Sequence, residues 1–183
     1  QWSYLYDSRD LGSLAGQWLN GDTSSGYVFV DDDAPLDPAP YDPQISDPLE
    51  DGTADHPFDS IQEAVDSLGS ADLREIYLMH GTYTGPGNFE IIIDGRTITI
   101  TSQRPYSGAV IDCEGNGRAF VFKNSTIDAA SIIEGVTIMN GNSLNAAPVT
   151  ANADPNSGYG SGGAISVENA GLLVRRCTLT DNA

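Results

Sequence analysis

Residues 162–183 read GGAISVENAGLLVRRCTLTDNA, and they repeat a unit already used earlier in the chain. Residues 117–122 read GRAFVF where 162–167 read GGAISV, and residues 133–140 read IEGVTIMN where 174–181 read VRRCTLTD. Phe120 and Phe122 therefore match Ile165 and Val167, 45 residues on. A second alignment puts Ile98, Val136 and Cys177 in one row and Ile100, Ile138 and Leu179 in another, at intervals of 38 and 41 residues. Working outward, REIYLMHGTYTG, GRTITITSQ, GAVIDCEGNG and RAFVFKN are also short and β-rich, and most close on Gly or Asn. No helical period separates these strands, which argues against a βαβ crossover fold. Repeated strand and turn with equivalent residues inward is the mark of a solenoid. The longest interruption, residues 143–162, reads as a loop budding from one repeat.

Upstream the pattern changes. In FDSIQEAVDSLG, Ser60 and Glu63 have capping-box spacing, Ile61, Ala64, Val65 and Leu68 form one apolar stripe, and Gly69 stops the helix. Residues 27–59 read as a strand followed by an acidic, Pro-rich wrap, with Asp-Pro at 37, 42 and 47. Proline fixes φ and removes a donor, so this wrap is stiff and extended. Residues 1–26 form a separate arm. Trp2, Tyr4 and Tyr6 alternate as in a strand, and Leu11, Leu14, Ala15 and Trp18 recur at helical spacing. The remainder, residues 60–183, holds the helix and the repeats.

These stretches resemble the right-handed parallel β-helix proteins of the pectin-lyase-like superfamily, in particular large secreted bacterial members. DGTADHPFDSIQEAVDSL is similar to their capping helix, IYLMHGTYTGPGNFEI to their first rung, and VIDCEGNGRAFVF, IEGVTIMNG and GGAISVENAGLLVRRCTLTDNA to later rungs. The likeness runs over residues 27–183. It implies an all-β chain: a right-handed parallel β-helix with a short N-terminal capping helix and an additional strand/helix arm. A superfamily that hosts lyases, hydrolases and adhesins implies no single activity. On such a scaffold Asn140, Asn142, Asn169 and Asn182 are expected in turn ladders, because Asn tolerates left-handed backbone.

Charge and composition narrow the function. Against 26 acids stand 8 bases, a net charge of −18, and Lys123 is the only lysine. Such a surface repels nucleic acid and anionic membranes, and no apolar run is long enough to span a bilayer. Cys113 and Cys177 lie in apolar strands with no CxxC or neighbouring His, so packed thiols are expected. The start at Gln1 suggests a removed leader and secretion. Enzymes of the superfamily need convergent acids and bases, whereas Asp94, Asp112, Glu134 and Glu168 are scattered. Arg175 and Arg176 are adjacent and should point to opposite faces of a strand. No catalytic residue is assigned and no cofactor is required. His56 and His80 read as turn residues, and Asn124-Ser125-Thr126 matches the glycosylation sequon without an expectation of modification. The metal candidates are Asp31, Asp32, Asp33 and Asp37, whose oxygens suit Ca²⁺, although EF-hand spacing is absent.

An open last repeat leaves backbone groups and apolar surface uncovered, and solenoids normally cap such ends. The chain's own loop, a longer chain or a further copy would each cover it. The arm carries surplus apolar surface, so Trp2, Tyr4, Tyr6 and Trp18 are expected to meet Val174, Cys177 and Leu179 of a neighbour, head to tail. The reading is a non-catalytic, secreted structural protein that self-assembles into an extracellular filament or surface layer. The alternatives are the N-terminal part of a polysaccharide-binding or lyase-like β-helix, with extracellular polysaccharide as partner, and part of an adhesin.

Overall fold

The structure is a computed structural model that describes residues 26–32, 49–69, 75–102, 108–125, 130–144 and 162–183. The arm with Trp2, Tyr4, Tyr6 and Trp18, the acidic segment with Asp33 and Asp37, and residues 145–161 of the expected loop lie outside the described residues. Twelve short strands and one short helix make up the described secondary structure. In order they are β1 (Tyr27–Val30), α1 (Ile61–Ser67), β2 (Glu75–Leu78), β3 (Gly81–Tyr83), β4 (Ile91–Asp94), β5 (Thr99–Ser102) and β6 (Ala109–Asp112). Then follow β7 (Phe120–Lys123), β8 (Ala130–Glu134), β9 (Thr137–Met139), β10 (Ile165–Glu168), β11 (Gly171–Arg175) and β12 (Thr178–Thr180).

Every strand pairing is parallel. The strands form three sheets, ordered β1-β2-β5-β8-β11, β3-β6-β9-β12 and β4-β7-β10. From β2 onward, consecutive strands visit the three sheets in rotation, so each strand pairs with the one three places later. All three sheets contribute to one apolar core. Strand alternation explains which residues enter it: in β4, Ile91 and Ile93 are buried while Ile92 is exposed. Val28, Ile76, Ile100, Ile133 and Val174 form one inward row, and Tyr83, Ile111, Ile138 and Leu179 another.

The third inward face follows the sequence reading, since Phe120 and Phe122 lie beneath Ile165 and Val167 and above Ile91 and Ile93. The expected row of Ile98, Val136 and Cys177 does not form. Val136 and Cys177 stack beside β9 and β12, whereas Ile98 precedes β5 in a different sheet, where its N–H donates to Ser131 Oγ at 3.2 Å. Ile100 likewise pairs with Ile76 and Ile133, not with Ile138. GRTI and EGVTI look alike because every strand here alternates in the same way, but they belong to different sheets.

Helix α1 forms as its spacing predicts, with Ile61, Ala64, Val65 and Leu68 buried. Ser60 Oγ accepts from the Glu63 N–H at 3.4 Å and donates to Glu63 Oε2 at 2.8 Å. Asn88 Oδ1 accepts from the Ile61 N–H at 3.0 Å. At the other end Arg96 Nη1 donates to the carbonyls of Val65 and Leu68 at 2.7 and 2.8 Å, a cation where the helix ends negative.

Candidate functional site

The two ends of the sheets are treated differently. At the first layer each open edge meets groups from the chain itself. Gln62 behaves as one more strand residue for β4, its Oε1 accepting from the Ile92 N–H at 2.7 Å and its Nε2 donating to the Ile92 carbonyl at 3.4 Å. The Thr82 N–H of β3 donates to the Asp32 carboxylate. Beyond β1, the Phe29 N–H donates to Gly52 O at 2.9 Å and the Asp31 N–H to Phe58 O at 3.0 Å. Tyr83, fully buried, donates its hydroxyl within reach of the Val30 and Met79 carbonyls, at 2.8 and 3.0 Å.

That geometry places two of the four metal candidates. Asp31 and Asp32 are buried, with Asp31 Oδ1 accepting from the Asp32 N–H at 3.0 Å and Asp32 held on β3. Among the described residues no group of three or more His, Cys, Asp or Glu is placed to hold a metal ion. Both carboxylates thus serve backbone donors at a sheet edge, a use that acidic composition alone does not reveal.

The charged side chains on the outer faces pair between layers. Lys123 Nζ lies 3.3 Å from Asp94 Oδ2, and Asn124 Nδ2 donates to Asp94 Oδ1 at 3.0 Å. These contacts, the Asn124 bond foremost, hold the Asp94 carboxyl below its ordinary pKa. Arg175 Nε and Arg176 Nη1 both reach Glu134, at 2.6 and 3.1 Å. The expectation that the two arginines point to opposite faces is therefore corrected. Arg176 lies past the end of β11 with φ 54, and this left-handed step breaks the strand alternation and brings its guanidinium back to the same carboxylate.

Turn positions divide the asparagines. Asn140 and Asn169 take left-handed φ as expected, and so does Asn124, which the sequence reading treated only as a sequon. Its signal was its offset, because Gly95, Asn124 and Asn169 follow the paired residues Asp94, Lys123 and Glu168. Asn182 works through its side chain, with Oδ1 accepting from the Gly141 N–H at 2.8 Å and Nδ2 donating to the Ile138 and Thr180 carbonyls at 3.1 and 2.8 Å.

Both cysteines are free thiols. Cys113 is buried, and loss of solvation, joined by the Asp112 and Glu90 charges, pushes its pKa up to about 12 from an ordinary 9.0. A raised native pKa favours the neutral thiol. Its stabilising share is complete below pH 9.0 and is lost as pH rises through about 12. Urea unfolding at pH 8 and pH 10.5 should therefore show a loss of about 2 kcal/mol, at ~1.4 kcal/mol per pH unit above the ordinary value. Cys113→Ala should lack that component, and an unchanged pH difference in this variant would refute the assignment.

At the last layer, β10, β11 and β12 are the edge strands of the three sheets. Their inward side chains sit directly above fully buried partners yet are themselves uncovered among the described residues. Val174 is 38% exposed over Ile133 at 0%, Leu179 52% over Ile138 at 0%, and Val167 46% over Phe122 at 1%. Cys177 is half-buried beside them, and Leu173 on the outer face is also exposed. Val174, Cys177 and Leu179, named from the sequence as one half of a contact, are thus brought together, while the other half lies outside the described residues. In comparisons with known proteins, no family model matches the chain, and neither a curated protein nor a solved structure matches it.

Proposed function

We propose that the chain is a right-handed parallel β-helix with a structural, non-catalytic role, and that it assembles by strand addition at its last layer. The rotation of strands through three parallel sheets around one core supports the coil. The observation that carries the assembly is the inward apolar row that is dry in one layer and half-exposed in the next. Strand edges that have no partner among the described residues, beside exposed core side chains, are a template for another strand. The ion pairs between layers support the non-catalytic reading, because Asp94, Glu134 and Glu90 are engaged with Lys123, Arg175, Arg176 and the buried Arg118. A net charge of −18 suits an extracellular surface or filament.

Simple stacking of one copy's first layer on the next copy's last layer is opposed by the groups that close the first edges, Gln62 and Asp32 above all. The added strand then comes from outside these sheets. Electron microscopy of the purified chain over a range of concentrations tests the proposal. Particles that lengthen at constant width with concentration are expected, and they should survive EDTA because Asp32 is engaged with β3. Single particles at every concentration would defeat assembly, and unsaturated products from polyuronates would defeat the non-catalytic role.

A further inference from the structure

We infer that Asn116-Gly117 is a site of spontaneous covalent modification, where the Asn116 side chain cyclises onto the Gly117 nitrogen and opens to aspartate and isoaspartate, whereas the fold holds Asn140-Gly141 unreactive. This chemistry is independent of the assembly reading above. Asn is among the thermally labile residues, and it is most labile before Gly, which has no side chain to obstruct its own amide. The sequence has three Asn-Gly steps, beginning at 20, 116 and 140. The first lies outside the described residues, and the other two are treated in opposite ways.

Cyclisation needs two freedoms: the side-chain amide must be able to turn, and the next N–H must be able to give up its proton. At Asn140 both are taken. Its Nδ2 donates to Asp112 Oδ1 at 2.9 Å, and the Gly141 N–H donates to Asn182 Oδ1 at 2.8 Å. The two Asp-Gly steps among the described residues are closed at the nitrogen in the same way. There the Gly52 N–H donates to His56 O and the Gly95 N–H to Lys123 O, each at 3.0 Å. At Asn116 both freedoms remain. Asn116 is exposed in the connection between β6 and β7, where its own N–H donates to Cys113 O at 2.8 Å. Among the described residues no hydrogen bond holds its side chain or the Gly117 N–H. The nearby Glu90 Oε1 accepts instead from the Arg118 N–H, at 2.7 Å.

Packing keeps Gly at this step. A Cβ on Gly117 would fall 2.7 Å from Glu90 Cγ and 2.8 Å from Glu90 Oε1. In the reaction the Gly117 nitrogen loses its proton to water and bonds to Asn116 Cγ. The Cγ–Nδ2 bond breaks, and ammonia leaves with that proton. Water then opens the cyclic imide at either carbonyl. One opening gives aspartate at 116, and the other routes the main chain through Cγ, adding a backbone carbon before Gly117. Lengthening there strains the layers, because Gly117 O accepts from the Asn142 N–H at 2.8 Å and the next N–H is held by Glu90. The isoaspartyl form should therefore have a lower Tm, whereas Asn116→Asp, with the same charge, should keep that of the unmodified chain.

The test incubates the full chain at mildly alkaline pH, folded and in urea, and follows both sites by peptide mass and isoaspartyl content. Asn116 should convert at least tenfold faster than Asn140 in the folded chain, and the two should convert at similar rates in urea. Asn182→Ala, which frees the Gly141 N–H, should speed conversion of Asn140 several-fold and leave Asn116 unchanged. Equal rates at the two sites in the folded chain would overturn the inference, as would an Asn116 that reacts only in urea. An Asn140 indifferent to Asn182→Ala in a folded variant would overturn the protective role of that bond. Acceleration at both sites would mark loss of the fold in the variant, and the folded and urea-treated native chains then decide between the two outcomes.

Discussion

Phe122→Ala is expected to cost about 3–5 kcal/mol in chemical unfolding, while Val167→Ala, in the same inward row, is expected to cost under about 1 kcal/mol in dilute solution. The two residues are register partners on β7 and β10, so the comparison holds position and face constant. Phe122 has Ile93 beneath it, Val167 above and the Phe120 ring centroid 6.0 Å away. Removing its ring leaves a void that three fixed strands cannot close, and the cavity adds to the lost transfer energy. Val167 already contacts water on one side, so its truncation removes little buried area. Concentration makes the pair informative about function. Under assembling conditions Val167→Ala should weaken association because the added strand would bury it, whereas Phe122→Ala should act on the fold at any concentration. Equal costs for the two in dilute solution would mean that Val167 is already covered.

What the sequence disclosed, and what it hid, follows from how local each signal is. The α1 cap needs only Ser60, Glu63 and a four-residue stripe, all within one short segment, and it was legible in full. The pairing of GRAFVF with GGAISV was legible because both open on Gly and then place two large apolar residues at alternate positions, Phe120 and Phe122 against Ile165 and Val167. Rows through Ile98 and Ile100 were misassigned for the opposite reason. Layers differ in length, and strands in all three sheets share one alternation, so similarity between GRTI and EGVTI says nothing of the sheet to which each belongs. The acids at 31 and 32 raised the same difficulty. A carboxylate that receives backbone N–H groups at a sheet edge has the same composition as one that binds Ca²⁺, and only the fold brings β3 beside Asp32. The last layer stood between these cases, since Val174, Cys177 and Leu179 were found through the repeat, but their exposure depends on three edges converging.

Gly141→Ala is expected to destabilise the fold by about 3 kcal/mol, at the upper end of what overpacking costs. Backbone entropy alone gives the opposite sign, because Gly→Ala at a compatible φ stabilises by roughly 0.4–1 kcal/mol through the unfolded chain. Gly141 is not among the positive-φ residues, so its conformation does not bar a side chain. What bars it is the approach of neighbouring backbone. A Cβ at this position would fall on the carbonyl oxygen of Gly163, 2.6 Å from Asn182 Oδ1 and 2.8 Å from the Gly163 carbonyl carbon. Two of these are main-chain atoms that move only with their layer, and the third accepts from the Gly141 N–H itself. Relief would also pull on the bond from the Ala183 N–H to Gly141 O, at 2.8 Å, and so loosen the last layer. Gly95→Asn supplies the converse. Gly95 has φ 66 with open space around its Cβ position, and the equivalent residues of the next two layers are Asn124 and Asn169. Since Asn tolerates left-handed backbone, this change should move stability by less than about 0.5 kcal/mol, the range of a surface substitution. Unfolding curves of the two variants measured side by side decide the matter. A neutral Gly141→Ala would mean that packing in the β9–β10 connection is soft, and the contact between residues 141 and 163 would then not fix how the two ends of that connection meet.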